Sequence, residues 1–187
     1  MLRKILIGVA AVIVVFVVVV ATRPAAFHIE RSTSMAAPPD VVFAQVNDFH
    51  AWSAWSPWEK LDPQLKRSYE GATSGVGAVY AWTGNDKVGE GRMTIEKSSP
   101  SLVAIKLEFI KPFTATNAAT FTLAPAPDGT KVTWAMDGNN GFMAKAASMF
   151  MDMDKMVGDD FERGLAAMKT VAEAAAKANP GANAALK

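Results

Sequence analysis

Side chains able to do acid–base, nucleophilic or metal chemistry are sparse in this chain. Its 187 residues include two histidines, His28 and His50, and no cysteine. A thiolate zinc site, a cysteine nucleophile and a disulfide scaffold are therefore excluded. Two histidines far apart in sequence do not make a His-pair metal centre, and no Gly-x-Ser-x-Gly elbow is present. Asp152, Asp154, Asp159 and Asp160 cluster, yet helix capping and a solvated face explain them better than a calcium loop does. Gly75-Val-Gly77 and Gly89-Glu-Gly91 lack the strand-to-helix setting of a phosphate loop and read as turns or bulges. Proton transfer would need a polar strand residue turned into an apolar interior, for which Glu70, Glu90, Arg92, Glu108 and Asp137 are the candidates. None stands out, so no catalytic residue, metal or cofactor is expected.

Rings and thioethers carry more information. Trp52, Trp55 and Trp58 are spaced by three. Six of the ten methionines lie between Met143 and Met168. Met is unbranched and polarizable, so a Met-lined wall adapts to ligands of varied shape. Met149, Met153 and Met156 share a helical face with Ala146 and Phe142, which suits a core stripe equally well. On the strands, Tyr80 and Trp82 share a face, as do Trp134 and Met136. With Phe109 and Phe121 they alternate so as to meet in one interior, which they either line or fill.

Those residues need elements to hold them. Phe27 to Met35 alternates as a first strand, and Pro38-Pro39-Asp40 suits the first turn of a helix continuing through Phe49. A Trp-rich stretch from His50 to Trp58 follows and runs on to Pro63; Pro57 and Pro63 argue against a long helix, so it reads as short turns folded over a surface. Six strands are then expected over 65–71, 77–83, 89–97, 102–113, 116–123 and 131–137. Their spacing is too short for crossover helices, so they pair antiparallel. Residues 141–157 read as a Met-rich helix that Gly158 terminates as a C-cap. Asp159 and Asp160 then cap a second helix with Phe161, Leu165, Met168 and Ala172 at helical spacing. A one-sided sheet of that size needs a cover, and the last helix carries the stripe to provide it.

The N-terminus is different. Ile5 to Ala21 is an unbroken apolar run of 17 residues, about 25 Å long as a helix and close to a bilayer's hydrocarbon thickness of about 30 Å. Arg3 and Lys4 precede it, so the positive-inside rule places the N-terminus in the cytoplasm and the domain on the far, periplasmic side. A cleaved signal peptide ending near Ala21 is the competing reading. Three of the 19 Lys+Arg and none of the 18 Asp+Glu lie in residues 1–23, leaving the remainder at 16 against 18. With that balance there is no basic surface for nucleic acid.

Pro39-Asp-Val-Val-Phe43, Trp52-Ser-Ala-Trp55-Ser-Pro-Trp-Glu-Lys-Leu-Asp-Pro63 and the segment from Met153 to Leu165 resemble the SRPBCC superfamily. That group includes START-type lipid-transfer domains and bacterial polyketide cyclase/dehydrase-like proteins. The resemblance implies an α+β helix-grip fold, a curved antiparallel sheet of about seven strands around a long C-terminal helix, preceded here by one transmembrane helix. With the apolar run and the aperiodic C-terminus, it divides the chain into an anchor or uncleaved signal (1–23), a helix-grip domain (27–176) and a flexible tail (177–187). It also implies a deep apolar cavity between sheet and helix, with the Trp52–Trp58 segment near its mouth.

The functional expectation is a membrane-tethered exported domain that binds an apolar or amphipathic, lipid-like small molecule. Its candidate ligand-binding residues are Trp52, Trp55, Trp58, Tyr80, Trp82, Phe109, Phe121, Trp134, Met136, Met149, Met153 and Met156. A cyclase/dehydrase-like enzyme and a non-catalytic module presenting the Trp cluster to a protein are the alternatives. The sequence does not specify the oligomeric state.

Overall fold

The computed structural model describes residues 1–178. Residues 179–187, most of the expected tail, lie outside the described residues. A first helix, α1 (Leu2–Thr22), leads into strand β1 (Ala26–Met35), helix α2 (Pro39–Asn47) and a 3-10 helix (Phe49–Ala54). Six strands follow: β2 (Lys66–Gly71), β3 (Ala78–Thr83), β4 (Glu90–Ser99), β5 (Leu102–Lys111), β6 (Ala115–Ala126) and β7 (Gly129–Asn139). Helices α3 (Phe142–Ala147) and α4 (Met153–Ala178) complete the chain.

The strands form one seven-stranded sheet in the order β1-β7-β6-β5-β4-β3-β2, every pair antiparallel. Only β1 is displaced from its sequence neighbour, pairing with β7 from Ala26↔Asn139 to Met35↔Thr130. The strand that leaves α1 is thus one edge of the sheet. The β4–β5 register shifts between Glu90 and Gly91 and again between Ile95 and Lys97. Such bulges bend and twist a strand, and Gly89 at φ +65° begins the first of them.

Helix α4 lies across one face of the sheet and buries Phe161, Gly164, Leu165, Met168, Ala172 and Ala176. The sequence stripe therefore faces the sheet, as its spacing predicts. Two helix boundaries differ from expectation. The Met-rich segment is helical only to Ala147, and α4 then runs unbroken through Gly158 and Asp159-Asp160. Gly158 is an interior residue of α4 because Arg31 of β1 lies on it, and a Cβ there would meet the guanidinium. From that seat Arg31 bonds Asp154 (3.0 Å) and Glu162 (3.1 Å), one turn to either side of the glycine. A residue that resembles a helix stop is therefore the gap through which β1 grips α4.

Trp52 and Trp55 fix the 3-10 helix to α2 by donating their indole N–H groups to Val46 O (3.3 Å) and Gln45 O (3.1 Å). Both are buried. The stretch expected as short turns begins with this six-residue 3-10 helix, held down by its rings, and continues as turns to Leu65.

Gly164 faces Trp134, and an added Cβ would stand 2.8 Å from the Trp134 ring and 3.1 Å from Pro57 Cδ. Gly164→Val is expected to destabilise the domain by about 1–3 kcal/mol through overpacking, even though Val is the better helix former. A lower denaturant midpoint with unchanged slope confirms this; an unchanged midpoint contradicts it.

Candidate functional site

The interior is filled at one end and hollow at the other. At the filled end Trp134 of β7 stacks against Phe161 of α4 (ring centroids 4.1 Å apart, planes at 6°) and against Phe121 of β6 (4.8 Å). Trp52, Trp55 and Trp58 approach the same ring edge-on at 6.3, 5.6 and 5.7 Å. Below this cluster lies a pocket of about 230 Å³, just under the roughly 300–1,000 Å³ of ordinary small-molecule sites.

Trp82, Phe109, Leu107, Met93, Ala119 and Met136 of the sheet form one wall, and Val157, Asp160 and Phe161 of α4 the other. Residues Trp58 to Leu65 and the β3–β4 loop, with Lys87 and Val88, close its lower end. That is the end of the sheet carrying Ala26, Lys66, Thr83, Glu90, Lys111, Ala115 and Asn139, so the pocket lies toward the α1 junction.

Of the twelve sequence candidates, Trp52, Trp58, Tyr80, Trp82, Phe109, Trp134 and Met136 come together around the pocket. Trp55 and Phe121 are buried in the aromatic cluster behind it. Met149, Met153 and Met156 are not in its lining: Met156 points outward from the first turns of α4, and Met149 and Met153 belong to a shallow surface depression around the α3–α4 turn. The three tryptophans do not form an exposed patch.

Each ring is held in place. Trp82 donates its indole N–H to Val88 O (3.0 Å) and meets Phe109 edge-on. Gly91 lets that indole lie flat on β4, since a Cβ there would collide with it. Tyr80 stacks on Trp82 and donates its hydroxyl to Glu59 Oε1 (2.6 Å). Glu59 Oε2 accepts from Arg67 Nε (2.6 Å), and the Glu59 side chain is only 7% exposed.

This polar corner was not legible in sequence. Glu59 sits in an aperiodic loop between two prolines, and only the β2–β3 register brings Arg67 opposite Trp82 and Tyr69 opposite Tyr80. The strand-borne candidates are elsewhere: Glu70 is near Arg92, Glu90 pairs with Lys111, Glu108 with Lys106 and Asp137 with His28. None of these lines the pocket. His50 bonds Asp48 and stacks on exposed Tyr69, so both histidines are surface residues.

A family model for polyketide cyclase / dehydrase and lipid transport matches residues 26–173. The chain belongs to this SRPBCC-type family. Its match starts at the first residue of β1 and ends within α4, so α1 lies outside it. Curated protein sequences contain no match. Among solved structures, protein CV1439 from Chromobacterium violaceum is similar with a TM-score of 0.57 at 14% identity, covering 78% of this chain and 96% of that one. The Aha1 dimer from Colwellia psychrerythraea gives 0.56 at 14% identity, with 79% and 96% covered. The di-domain ARO/CYC StfQ of the steffimycin biosynthetic pathway gives 0.59 at 10% identity, covering 82% of this chain and 52% of that one. At these identities the likeness is one of fold, and the family's helix-grip architecture is what they share.

Burial, then the bond to Glu59, pushes the Tyr80 phenol well above its ordinary value of 10.0. Tyr69 is raised too, by burial and then by Glu59. These are the chain's two tyrosines. A phenol whose folded pKa is raised stabilises the fold while protonated, and that contribution is lost as pH rises past about 10. Ultraviolet titration of the folded protein should therefore show no phenolate midpoint at the free-tyrosine value. Ionisation of both tyrosines at that pH in the still-folded chain contradicts the placement.

Proposed function

We propose that this protein is a membrane-tethered domain that binds an apolar or amphipathic, lipid-like small molecule in the pocket between sheet and α4. The observation that carries the reading is the pocket itself: a hollow walled by Trp, Phe, Tyr, Met and Leu side chains that aromatic packing and hydrogen bonds keep from collapsing. Membership of the cyclase, dehydrase and lipid transport family supports it.

The tether is α1, which is long and apolar enough to cross a membrane and exposes nearly all its Ile, Leu and Val side chains. A helix of that composition in water would be a large unpaid apolar surface; in lipid it is at home. The charge bias of Arg3 and Lys4 favours the extracytoplasmic side for the domain. Ile110, Phe113, Phe142, Met143, Phe150 and Met151 are also exposed, on the β5–β6 connection and around α3. Both places lie at the end of the sheet where α1 joins, so the end of the domain that holds the pocket sits beside the bilayer in which such ligands partition.

The test is extraction of the full-length chain from membranes, followed by mass spectrometry of what accompanies it. An apolar or amphipathic molecule near one per chain is expected, as is quenching of tryptophan fluorescence by an added apolar probe. A chain that carries nothing and takes up no probe contradicts the reading. The absence of cysteine makes orientation readable as well. Ser101→Cys, in the exposed β4–β5 turn, should react with an impermeant maleimide before the cytoplasmic membrane is broken; reaction only after breakage places the domain inside.

A further inference from the structure

The pocket is apolar except at one corner, and the chemistry of that corner selects among ligands. Glu59 and Tyr80 both line the pocket. The Tyr80 proton is committed to Glu59 Oε1 at 2.6 Å, and the Arg67 Nε proton to Glu59 Oε2 at 2.6 Å. Other Arg67 protons go to Leu65 O and Glu59 O, and Arg67 is not in the lining. What remains toward the pocket is the spare lone pairs of a carboxylate and of a phenol oxygen. The corner accepts hydrogen bonds.

Charge narrows the choice. Arg67 already neutralises Glu59, so a ligand ammonium would be buried with no charge left to balance it. A ligand carboxylate has no proton to donate, so it would set its own acceptor oxygens against those of Glu59 and Tyr80 in a poorly solvated site, with Arg67 already committed to Glu59. A neutral hydroxyl has the proton the corner needs and no charge to desolvate. Other polar groups of the lining do not reverse this. Lys87 is exposed to solvent at the rim, Asp160 is paired with Arg163, and the Ser56 hydroxyl is neutral. The Trp134 indole N–H is buried with no partner among the described residues, and one neutral donor does not supply the counter-charge that a buried carboxylate needs.

Resting on the ligand-binding reading above, we propose that the pocket takes a hydroxyl-bearing apolar molecule, an alcohol or phenol rather than a fatty acid or an amine. Its hydroxyl donates at the Glu59–Tyr80 corner, and its apolar body lies along Trp82, Phe109, Leu107 and Met93.

Three probes of one shape test this: 2-naphthol, 2-naphthoate and naphthalene, titrated into the full-length chain at pH 7 in a single detergent. Each probe's affinity for the unmodified chain is compared with its affinity for Glu59→Gln, so that partitioning into micelles cancels. The expected result is that naphthol binds the unmodified chain about tenfold more tightly than Glu59→Gln, because a hydrogen bond to a charged acceptor is replaced by one to a neutral amide. Naphthoate should bind Glu59→Gln more tightly than the unmodified chain, and naphthalene should bind both alike. Should Glu59→Gln fail to fold, Tyr80→Phe keeps the Glu59–Arg67 pair, frees Glu59 Oε1 from its internal donor, and should tighten naphthol severalfold while leaving naphthalene unchanged. The inference is overturned if naphthol is indifferent to these changes, or if naphthoate weakens in Glu59→Gln as naphthol does. If naphthalene binds and the head group does not matter, this inference alone falls; if no probe binds, the pocket reading falls with it.

Discussion

The contact on which this structure depends is the stack of Trp134 on Phe161. One ring belongs to the sheet, the other to the helix that covers it, and they lie 4.1 Å apart and nearly parallel. Five aromatic partners converge on Trp134: Phe121, Phe161 and the three tryptophans of the 52–58 segment. Offset stacks and edge-to-face contacts are worth about 0.5–1.5 kcal/mol each beyond the area they bury. Their geometric effect is larger still, since together they fix the height at which α4 stands above the sheet. Gly164 is the concession on the helix side, and the Arg31 grip on Gly158 sets the rotation of α4 about its axis.

Holding the helix at that height leaves the lower interior unfilled. Above Trp134 the gap closes on small and medium residues, with Val103, Val132, Leu165, Met168 and Ala172 buried. Below it the side chains are large but cannot move inward. Tyr80 is tied to Glu59 and Trp82 to Val88 O, while Pro57 and Pro63 stiffen the loop that faces them. A void in a soft core shrinks as its lining relaxes. A void lined by hydrogen-bonded rings keeps its shape. The hollow thus follows from the same aromatic residues that stabilise the domain, so the packed end and the empty end of the interior are two consequences of one cluster.

Much of this was readable beforehand, for reasons that also explain what was not. Strand β2, exposed along its whole length, was bounded by its flanking turn residues, whereas period-two alternation located strands such as β1, β5 and β7, because each has one buried face. The Phe161–Ala172 stripe identified the covering helix for the same reason. Five of the seven candidate residues that meet at the pocket, Tyr80, Trp82, Phe109, Trp134 and Met136, do so because alternation assigns a strand residue to a face. Helical assignment fared differently around Met149 to Met156, where periodicity gives a common face but not where a helix begins; with α4 starting at Met153, that face turns outward. Gly158 misled because a glycine's local preference is overridden when a distant guanidinium needs the space. Glu59 was invisible because its role depends on Arg67 and Tyr80, eight and twenty-one residues away, through a loop with no pattern.

The most direct measurement of the central claim is fluorine NMR of the full-length chain with its five tryptophans replaced by 5-fluorotryptophan, titrated with an apolar probe. Trp52, Trp58, Trp82 and Trp134 line the pocket and Trp55 does not. Saturable shifts of those four resonances, with Trp55 little changed, are the predicted result. A titration that moves none of the four, or moves all five equally as general denaturation or micelle effects would, contradicts a ligand pocket at this site.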